Sequence, residues 1–138
     1  MYLGDYLDTF KTSCKELSDF AVANGVDICF ENTEAPPYLQ RAFEEVVKHS
    51  GLWLTFDVGH DAADKTRVKD TFFRTPTKIK HFHLHDYTNG KAHGEIGTGS
   101  IDIKNYFQFC KENNLSVVVE VKSKPELQRS VEFLMKIV

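Results

Sequence analysis

Four short segments constrain the fold of this chain, because each alternates between an apolar face and a mixed face that ends in an ionisable residue. Side chains of a β-strand point alternately to its two faces, so residues two apart share a face. In the strictest example, Phe82 and Leu84 lie opposite three histidines centred on His83. The four segments predicted as strands are residues 26–30, 52–56, 78–85 and 116–121. This pattern requires a fold that covers one strand face with helices and leaves the other face polar.

Helical segments separate the strands. Asn24-Gly25 ends the first helix, and Ser100 or Asp102 caps the third. The polar segment 61–69 is compatible with a helix or a loop, and residues 89–100 form a Gly-rich loop. One helix followed by a repeated strand–helix order implies a parallel sheet. The helices are predicted over residues 5–24, 39–49, 101–113 and 125–137.

The polar strand ends favour a barrel over an open sheet. An open parallel sheet with helices on both sides would give continuous apolar strands. A mixed face that becomes ionisable at the strand end is typical of a TIM-type (βα) barrel, whose chemistry lies at that mouth. A full barrel takes roughly 250 residues, so the 138 residues here predict one domain, 1–138, holding about half a barrel. Its open edges imply a missing N-terminal half, a second copy, or another form of closure.

Composition counts against several functional classes, although it does not exclude a local basic groove. The formal net charge of -3 offers no electrostatic footprint for nucleic acid or an anionic membrane. No apolar run approaches the roughly 20 residues of a membrane span, and the N-terminus lacks a signal-peptide core. The cysteines Cys14, Cys29 and Cys110 are odd in number and far apart, which indicates reduced thiols in a cytoplasmic protein.

The strand ends carry the candidate chemistry. Glu31, Asp57, His83 and Glu120 occupy matching places on successive strands, and this set of carboxylates and imidazole suits Mn²⁺, Mg²⁺ or Zn²⁺. Two histidines beside the strand ends, His60 and His93, are candidates for further ligands or substrate contacts. Lys122, which shares the parity of Glu120, is a candidate for binding a substrate anion. Ordinary solvated side chains are the alternative for each.

At these residues the chain resembles the xylose isomerase-like barrel superfamily. That group includes sugar and sugar-phosphate isomerases and epimerases, and the endonuclease-IV-type AP endonucleases. The match covers nearly the whole chain and looks like the C-terminal half of the barrel, strands five to eight. The matching pieces are Glu31-Asn32-Thr33, Phe56-Asp57-Val58-Gly59-His60, His83-Leu84-His85-Asp86, residues 93–102 and Val117-Val118-Val119-Glu120.

The resemblance implies roles for these residues in a metal-dependent sugar or sugar-phosphate isomerase or epimerase. Glu31, Asp57, His83 and Glu120 match the positions that hold one divalent ion (Mn, Mg, Co or Zn). Glu31 and Glu120 also match the acid/base pair that moves a proton next to a carbonyl. The position of His60 binds a substrate oxygen in these enzymes. The implied partner is a small carbohydrate, with a second copy or an N-terminal half completing the barrel.

Two alternatives remain at the level of sequence. In the endonuclease branch, which binds three zinc ions, His60 and His93 match two further ligands. A third ligand, an aspartate, is replaced here by Lys91, and this lysine and the acidic net charge count against a DNA phosphodiesterase. The other alternative is a half barrel, or a truncated reading frame, without catalytic activity.

After the third predicted strand, an aspartate and a Gly-rich turn are each open to a structural or a functional interpretation. Asp86 is predicted to orient the loop as a hydrogen-bond acceptor and not to bind the metal. The Gly97-Thr98-Gly99-Ser100 turn precedes a helix and offers a phosphate cradle as its functional interpretation. A purely structural Gly-rich turn is the alternative.

Overall fold

The structure, a computed structural model, describes residues 3–32, 44, 51–63 and 68–137. The predicted helix over 39–49 lies outside this set, apart from Glu44, which is helical. The undecided segment 61–69 is helical where it is described. The helices are α1 (Leu3–Ala23), α2 (Val58–Ala63), α3 (Val68–Arg74), α4 (Ile103–Glu112) and α5 (Lys124–Lys136), with a 3-10 turn at Pro76–Lys78. The strands are β1 (Cys29–Glu31), β2 (Trp53–Asp57), β3 (Ile79–Leu84), β4 (Asp86–Thr88), β5 (Lys91–Gly94) and β6 (Ser116–Val119).

Within the described residues, β1, β2, β3 and β6 form a parallel sheet in that order. Neighbouring strands are in register near their carboxyl ends, where Glu31 pairs with Thr55 and Asp57 pairs with His83. The parallel sheet predicted from the sequence is confirmed, and the architecture is consistent with a TIM-barrel-like domain. The sheet brings the polar strand ends to one edge.

The apolar strand face forms the core beneath the helices. Phe56 of β2, Phe82 of β3 and Phe72 of α3 are fully buried. The ring centroid of Phe56 lies 5.5 Å from that of Phe82 and 5.8 Å from that of Phe72. Burying one such side chain contributes about 1.5–3 kcal/mol, so this cluster anchors the strands whose opposite face carries the polar residues.

Capping side chains set where the last two helices begin. The carboxylate of Asp102 accepts the backbone N–H of Asn105 at 3.2 Å. Of the two predicted candidates, Asp102 and not Ser100 is therefore the N-cap of α4. Ser123 caps α5 by accepting the N–H of Glu126, and its hydroxyl donates to the Glu126 carboxylate at 2.8 Å. The first helix ends as predicted, because Gly25 adopts the left-handed conformation with φ of 67°.

The segment 89–100, predicted as a Gly-rich loop, contains a strand in its first part. Strands β4 and β5 form an antiparallel hairpin there. Asn89 and Gly90 make its turn with φ angles of 53° and 76°. This pair of positive φ angles is typical of the tight turns that favour an Asn-Gly sequence. The Asn89-Gly90 pair in the sequence therefore already indicates this turn.

The buried carboxylate of Asp86 holds the segment after this hairpin. It accepts the backbone N–H groups of Tyr87, Gly97, Gly99 and Ile101 at 2.9–3.2 Å. These bonds agree with the predicted loop-orienting role. They also disfavour a phosphate cradle at this turn, because the amides of Gly97 and Gly99 already bind the carboxylate.

No helix in the described part of the chain is long and apolar enough to cross a membrane. The three cysteines carry free thiols. Burial raises the pKa of Cys110 to about 12, so this thiol is not a nucleophile at neutral pH.

We expect Asp86→Ala to lower the free energy of unfolding by about 3 to 5 kcal/mol, because four backbone N–H groups lose their acceptor. Asp86→Asn, which keeps one carbonyl oxygen, is expected to cost roughly half as much. Urea unfolding followed by circular dichroism measures both. The control Asp102→Ala removes a single helix cap and is expected to cost about 1 kcal/mol; an equal loss in all three variants would contradict this role of Asp86.

Candidate active site

The structure brings the four predicted metal ligands together around the imidazole of His83. Its Nδ1 atom lies 3.5 Å from Asp57 Oδ2 and 3.7 Å from Glu31 Oε1. From the end of β6, on the other side of β3, Glu120 Oε2 lies 3.5 Å from the same nitrogen. Glu120 follows β6 directly, and its backbone N–H donates to Leu84 of β3 at 3.0 Å. Three carboxylates therefore converge on one ring nitrogen.

His60 joins this group because α2 begins immediately after β2. The first turn of α2 places the His60 N–H 2.7 Å from Asp57 Oδ1, which accepts its hydrogen bond. The ring nitrogen Nδ1 of His60 lies 2.9 Å from Glu31 Oε1 and 3.7 Å from Asp57 Oδ2. The three-residue spacing between Asp57 and His60 thus returns the histidine to the strand ends.

Asp57 is fully buried at the centre of the site. Its backbone N–H donates to Asn32 Oδ1 at 2.6 Å, and Asn32 Nδ2 donates to the Asp57 carbonyl at 2.8 Å. Burial opposes ionisation of the carboxyl, but the imidazoles of His83 and His85 and the N–H of His60 outweigh it and hold the pKa of Asp57 well below its usual range. Asp57 is therefore a carboxylate at neutral pH.

His85, which has no exposed surface, uses both of its ring nitrogens. Nε2 lies 2.9 Å from Asp57 Oδ1 and 3.1 Å from Asp57 Oδ2. Nδ1 accepts the backbone N–H of His93 at 2.7 Å. The alternating pattern places His85 on the same strand face as His83, but β3 ends at Leu84 and His85 lies just beyond it. Although His85 lies near other candidate ligands, neither of its nitrogens is available to a metal ion.

The two remaining predicted site residues differ in their placement. His93 lies on β5, where its Nδ1 is 3.2 Å from the Glu120 carbonyl oxygen and 3.6 Å from Glu120 Oε2. Its ring contacts that of His60 edge-on, with centroids 5.5 Å apart. Lys122 is exposed in the bend before α5. The alternation of strand side chains does not predict the direction of Lys122, because β6 ends at Val119.

The carboxylates and the neighbouring histidines perturb one another. The Asp57 carboxylate, followed by the charges of Glu31 and Glu120, raises the pKa of His83 despite partial burial. On the same strand face, burial and then the charge of His83 lower the pKa of His81. The ring of His81 bonds to the Ser116 hydroxyl at 2.6 Å. The anionic environment is therefore centred on His83 and not on the whole row of histidines.

The donor geometry fits a divalent metal ion. Ligands about 2.0–2.2 Å from an ion lie roughly 3 to 3.5 Å from each other, close to the distances around His83. Within the described residues, Nδ1 of His83 and Nδ1 of His60 are buried and make no hydrogen bond of acceptable geometry, although carboxylate oxygens lie 2.9 to 3.7 Å away. Both face carboxylate oxygens, and Glu31, Asp57 and His83 together can hold one ion. Buried polar atoms without partners are costly, and a bound cation would remove that cost.

The sequence matches the xylose isomerase-like TIM barrel family over residues 2–137. The chain therefore belongs to this family, and the resemblance drawn from the strand-end motifs is confirmed. Among curated proteins, none matches the sequence.

Solved structures support the same fold. The 3-keto-D-glucoside 4-epimerase from E. coli is 14% identical with a TM-score of 0.70, covering 99% of this chain and 56% of that one. The D-allulose 3-epimerase from Methylomonas sp. is 16% identical with a TM-score of 0.66, covering 93% and 54%. A xylose isomerase domain protein from Planctomyces limnophilus is 20% identical with a TM-score of 0.68, covering 96% and 52%. The chain spans about half the length of each.

We expect His83 to titrate above the ordinary histidine value of about 6.5 in metal-free protein, and His81 to titrate below it. Histidine ring signals in an NMR titration with EDTA present measure both. Because its folded-state pKa is raised, the stabilisation from His83 is fully present below about pH 6.5. That stabilisation is lost as the pH rises through the folded-state pKa. Equal pKa values for the two histidines would contradict this charge arrangement.

Proposed function

We propose that this protein is a divalent-metal-dependent sugar isomerase or epimerase that transfers a proton between two carboxylates. The observation that carries the proposal is the convergence of Glu31, Asp57 and Glu120 on Nδ1 of His83, all within 3.7 Å. These four residues would hold the ion. Oxygen donors with one imidazole suit Mn²⁺, Mg²⁺, Co²⁺ or Zn²⁺, and family membership supports this class of reaction.

Glu31 and Glu120 are proposed as the acid/base pair. They extend from the two outermost strands of the described sheet order, β1 and β6, towards the same nitrogen of His83. A substrate carbon bound between them would present one face to each carboxylate, so that one removes a proton and the other returns it. When bound, the metal ion supplies polarisation of the substrate carbonyl, which acidifies the neighbouring C–H bond.

The proposed substrate class is a keto sugar. Two solved structures of this fold are named as epimerases of a 3-keto-D-glucoside at C4 and of D-allulose at C3. In both names the epimerised carbon is next to a carbonyl carbon. The same proton chemistry suits the paired carboxylates here, whereas a phosphate on the substrate has no support from the turn at Gly97–Ser100, whose amides at Gly97 and Gly99 bind Asp86.

His60 and His93 are proposed to contact the substrate. Nδ1 of His60 lies 2.9 Å from Glu31 Oε1, so this ring can also orient the catalytic carboxylate. Nδ1 of His93 lies 3.6 Å from Glu120 Oε2, which places one histidine beside each proposed acid/base group. Lys122 remains a proposed contact for an anionic substrate group, in an exposed position outside this cluster.

We also propose that residues 1–138 form one half-barrel domain corresponding to strands five to eight. Its two sheet edges would be covered by a second copy or by another half barrel. Two groups of exposed apolar side chains support this view. Leu127, Val131 and Met135 follow one another at four-residue spacing along α5, while Phe20 and Val22 lie on α1. Covering the mouth would also exclude water, which strengthens electrostatic catalysis.

A nuclease of the endonuclease IV type is the second candidate. The observation that favours it is the meeting of His60 and His93, whose rings are 5.5 Å apart. Both match additional zinc ligands in that branch. The residue at the position of a further aspartate ligand, Lys91, is exposed on β5 and brings a positive charge where a ligand carboxylate is needed.

We expect elemental analysis of protein purified without chelator to give about one Mn, Co, Mg or Zn ion per chain. The measurement is made on fractions separated by size exclusion, so that metal content is assigned to a defined assembly. Several zinc ions per chain would favour the nuclease. Absence of metal after soaking in Mn²⁺ and Zn²⁺ would contradict the metal site and favour a half barrel without catalytic activity.

We expect Glu31→Gln and Glu120→Gln each to lower turnover about 10²- to 10⁴-fold, the usual contribution of a general acid or base. The assay is incorporation of solvent deuterium next to the carbonyl in a panel of ketoses, read by mass spectrometry. Glu16→Gln, at an exposed site on α1, is the matched control and should exchange at the wild-type rate. Unchanged exchange in both site variants would contradict the proposed mechanism.

A further inference from the structure

We propose that His85 is a positioning residue that aims one oxygen of Asp57 at the metal site and ties this carboxylate to the β4–β5 hairpin. The inference rests on the proposed metal site and goes beyond it, because His85 is neither an expected ligand nor an acid/base group. It concerns a fully buried histidine with two partners that are distant from each other in the sequence.

The backbone determines which ring nitrogen of His85 carries the hydrogen. The N–H of His93 lies 2.7 Å from Nδ1 of His85, and a backbone N–H can only donate. Nδ1 is therefore the unprotonated acceptor. In the neutral ring the hydrogen must then be on Nε2, which lies 2.9 Å from Asp57 Oδ1 and 3.1 Å from Asp57 Oδ2 and donates to this carboxylate.

The two oxygens of the Asp57 carboxylate differ in the other groups that they contact. Oδ1 accepts the N–H of His60 at 2.7 Å, while Nε2 of His85 lies close to both oxygens. Oδ2 faces Nδ1 of His83 at 3.5 Å and Nδ1 of His60 at 3.7 Å. Because the His60 N–H and the His85 ring hold it, the carboxylate cannot rotate freely, and Oδ2 stays on the side of the converging ligands.

The space around His85 holds the ring in this orientation. A Cβ atom at Gly59 would lie 1.9 Å from Cε1 of His85, so the ring needs glycine at that position. The ring of His93 stacks on His85 with centroids 4.3 Å apart and an interplanar angle of 24°. His93 has a φ of 60°, an uncommon conformation for a residue with a side chain, and its N–H donates to His85 at 2.7 Å.

His85 consequently connects the hairpin to the metal site. One nitrogen binds the backbone of β5, and the other binds the carboxylate at the end of β2. Hydrogen-bonded partners of metal ligands typically change metal affinity 10- to 100-fold when removed. The two bonds can be removed separately, because Gln and Asn place polar atoms near different nitrogens of the histidine ring.

The test compares His85→Asn with His85→Gln. The glutamine amide can reach the position of Nε2 and donate to Asp57, but it provides no acceptor at the position of Nδ1. The asparagine oxygen lies near the position of Nδ1 and can accept the His93 N–H, but the side chain is too short to reach Asp57. The two measurements are Mn²⁺ affinity by titration calorimetry and exchange of the His93 amide hydrogen by NMR.

We expect His85→Asn to weaken Mn²⁺ binding about 10- to 100-fold and to keep the protection of the His93 amide. We expect His85→Gln to bind Mn²⁺ within about threefold of wild type, well short of the usual loss for such a partner, and to lose that protection. A purely structural role would change both measurements together. If His85→Asn does not fold, retained affinity with lost amide protection in His85→Gln still supports the proposal.

Wild-type Mn²⁺ affinity in His85→Asn, or equal weakening in both variants, would overturn the positioning role while leaving the metal site intact. Failure of the wild-type protein to bind Mn²⁺ is a different result and would overturn the proposed metal site. In that case the exchange of the His93 amide hydrogen still tests whether His85 is hydrogen-bonded to the hairpin. Unchanged protection of His93 in His85→Gln would overturn that link.

Discussion

The buried carboxylate of Asp57 is the charge on which the rest of the site depends. A charge removed from water is strongly destabilising unless it is paired and hydrogen-bonded. Asp57 satisfies this requirement with the His60 N–H from α2 and the His85 imidazole after β3. Asn32 holds its backbone from the end of β1. These hydrogen bonds connect the ends of three neighbouring strands. They offset the cost of burying the carboxylate and also fix its orientation.

The segment after β3 shows how consecutive residues serve two sites. His85 turns towards the strand ends and binds Asp57. Asp86, the next residue, turns away and binds four backbone N–H groups of the following loop. Both are buried, so each must find its partners within the protein. The loop between the hairpin and α4 is therefore held by the Asp86 carboxylate, and the hairpin itself is linked to the candidate site by the His85 imidazole.

Much of the site was predictable because it depends on short-range regularities. The strand pleat repeats every two residues, so the faces of β2 and β3 follow from the sequence itself. Carboxyl ends of parallel strands meet at one edge, which accounts for the approach of Glu31, Asp57 and His83. The hairpin turn at Asn89-Gly90 was also readable from its residues. The glycines that follow this turn favour a loop prediction for the whole segment 89–100, which conceals the hairpin.

The sequence alone determined the parallel sheet and the apolar and polar faces of its strands, since these follow from local periodicity. It also pointed to the family, through the resemblance of its strand-end motifs to known members. The tertiary structure alone decided the role of His85. Alternation places it with His83, but the strand ends one residue earlier. Its partners, Asp57 and His93, lie 28 and 8 residues away. Hydrogen bonds between residues so far apart depend on how the elements pack, and no local pattern encodes which nitrogen will meet which oxygen.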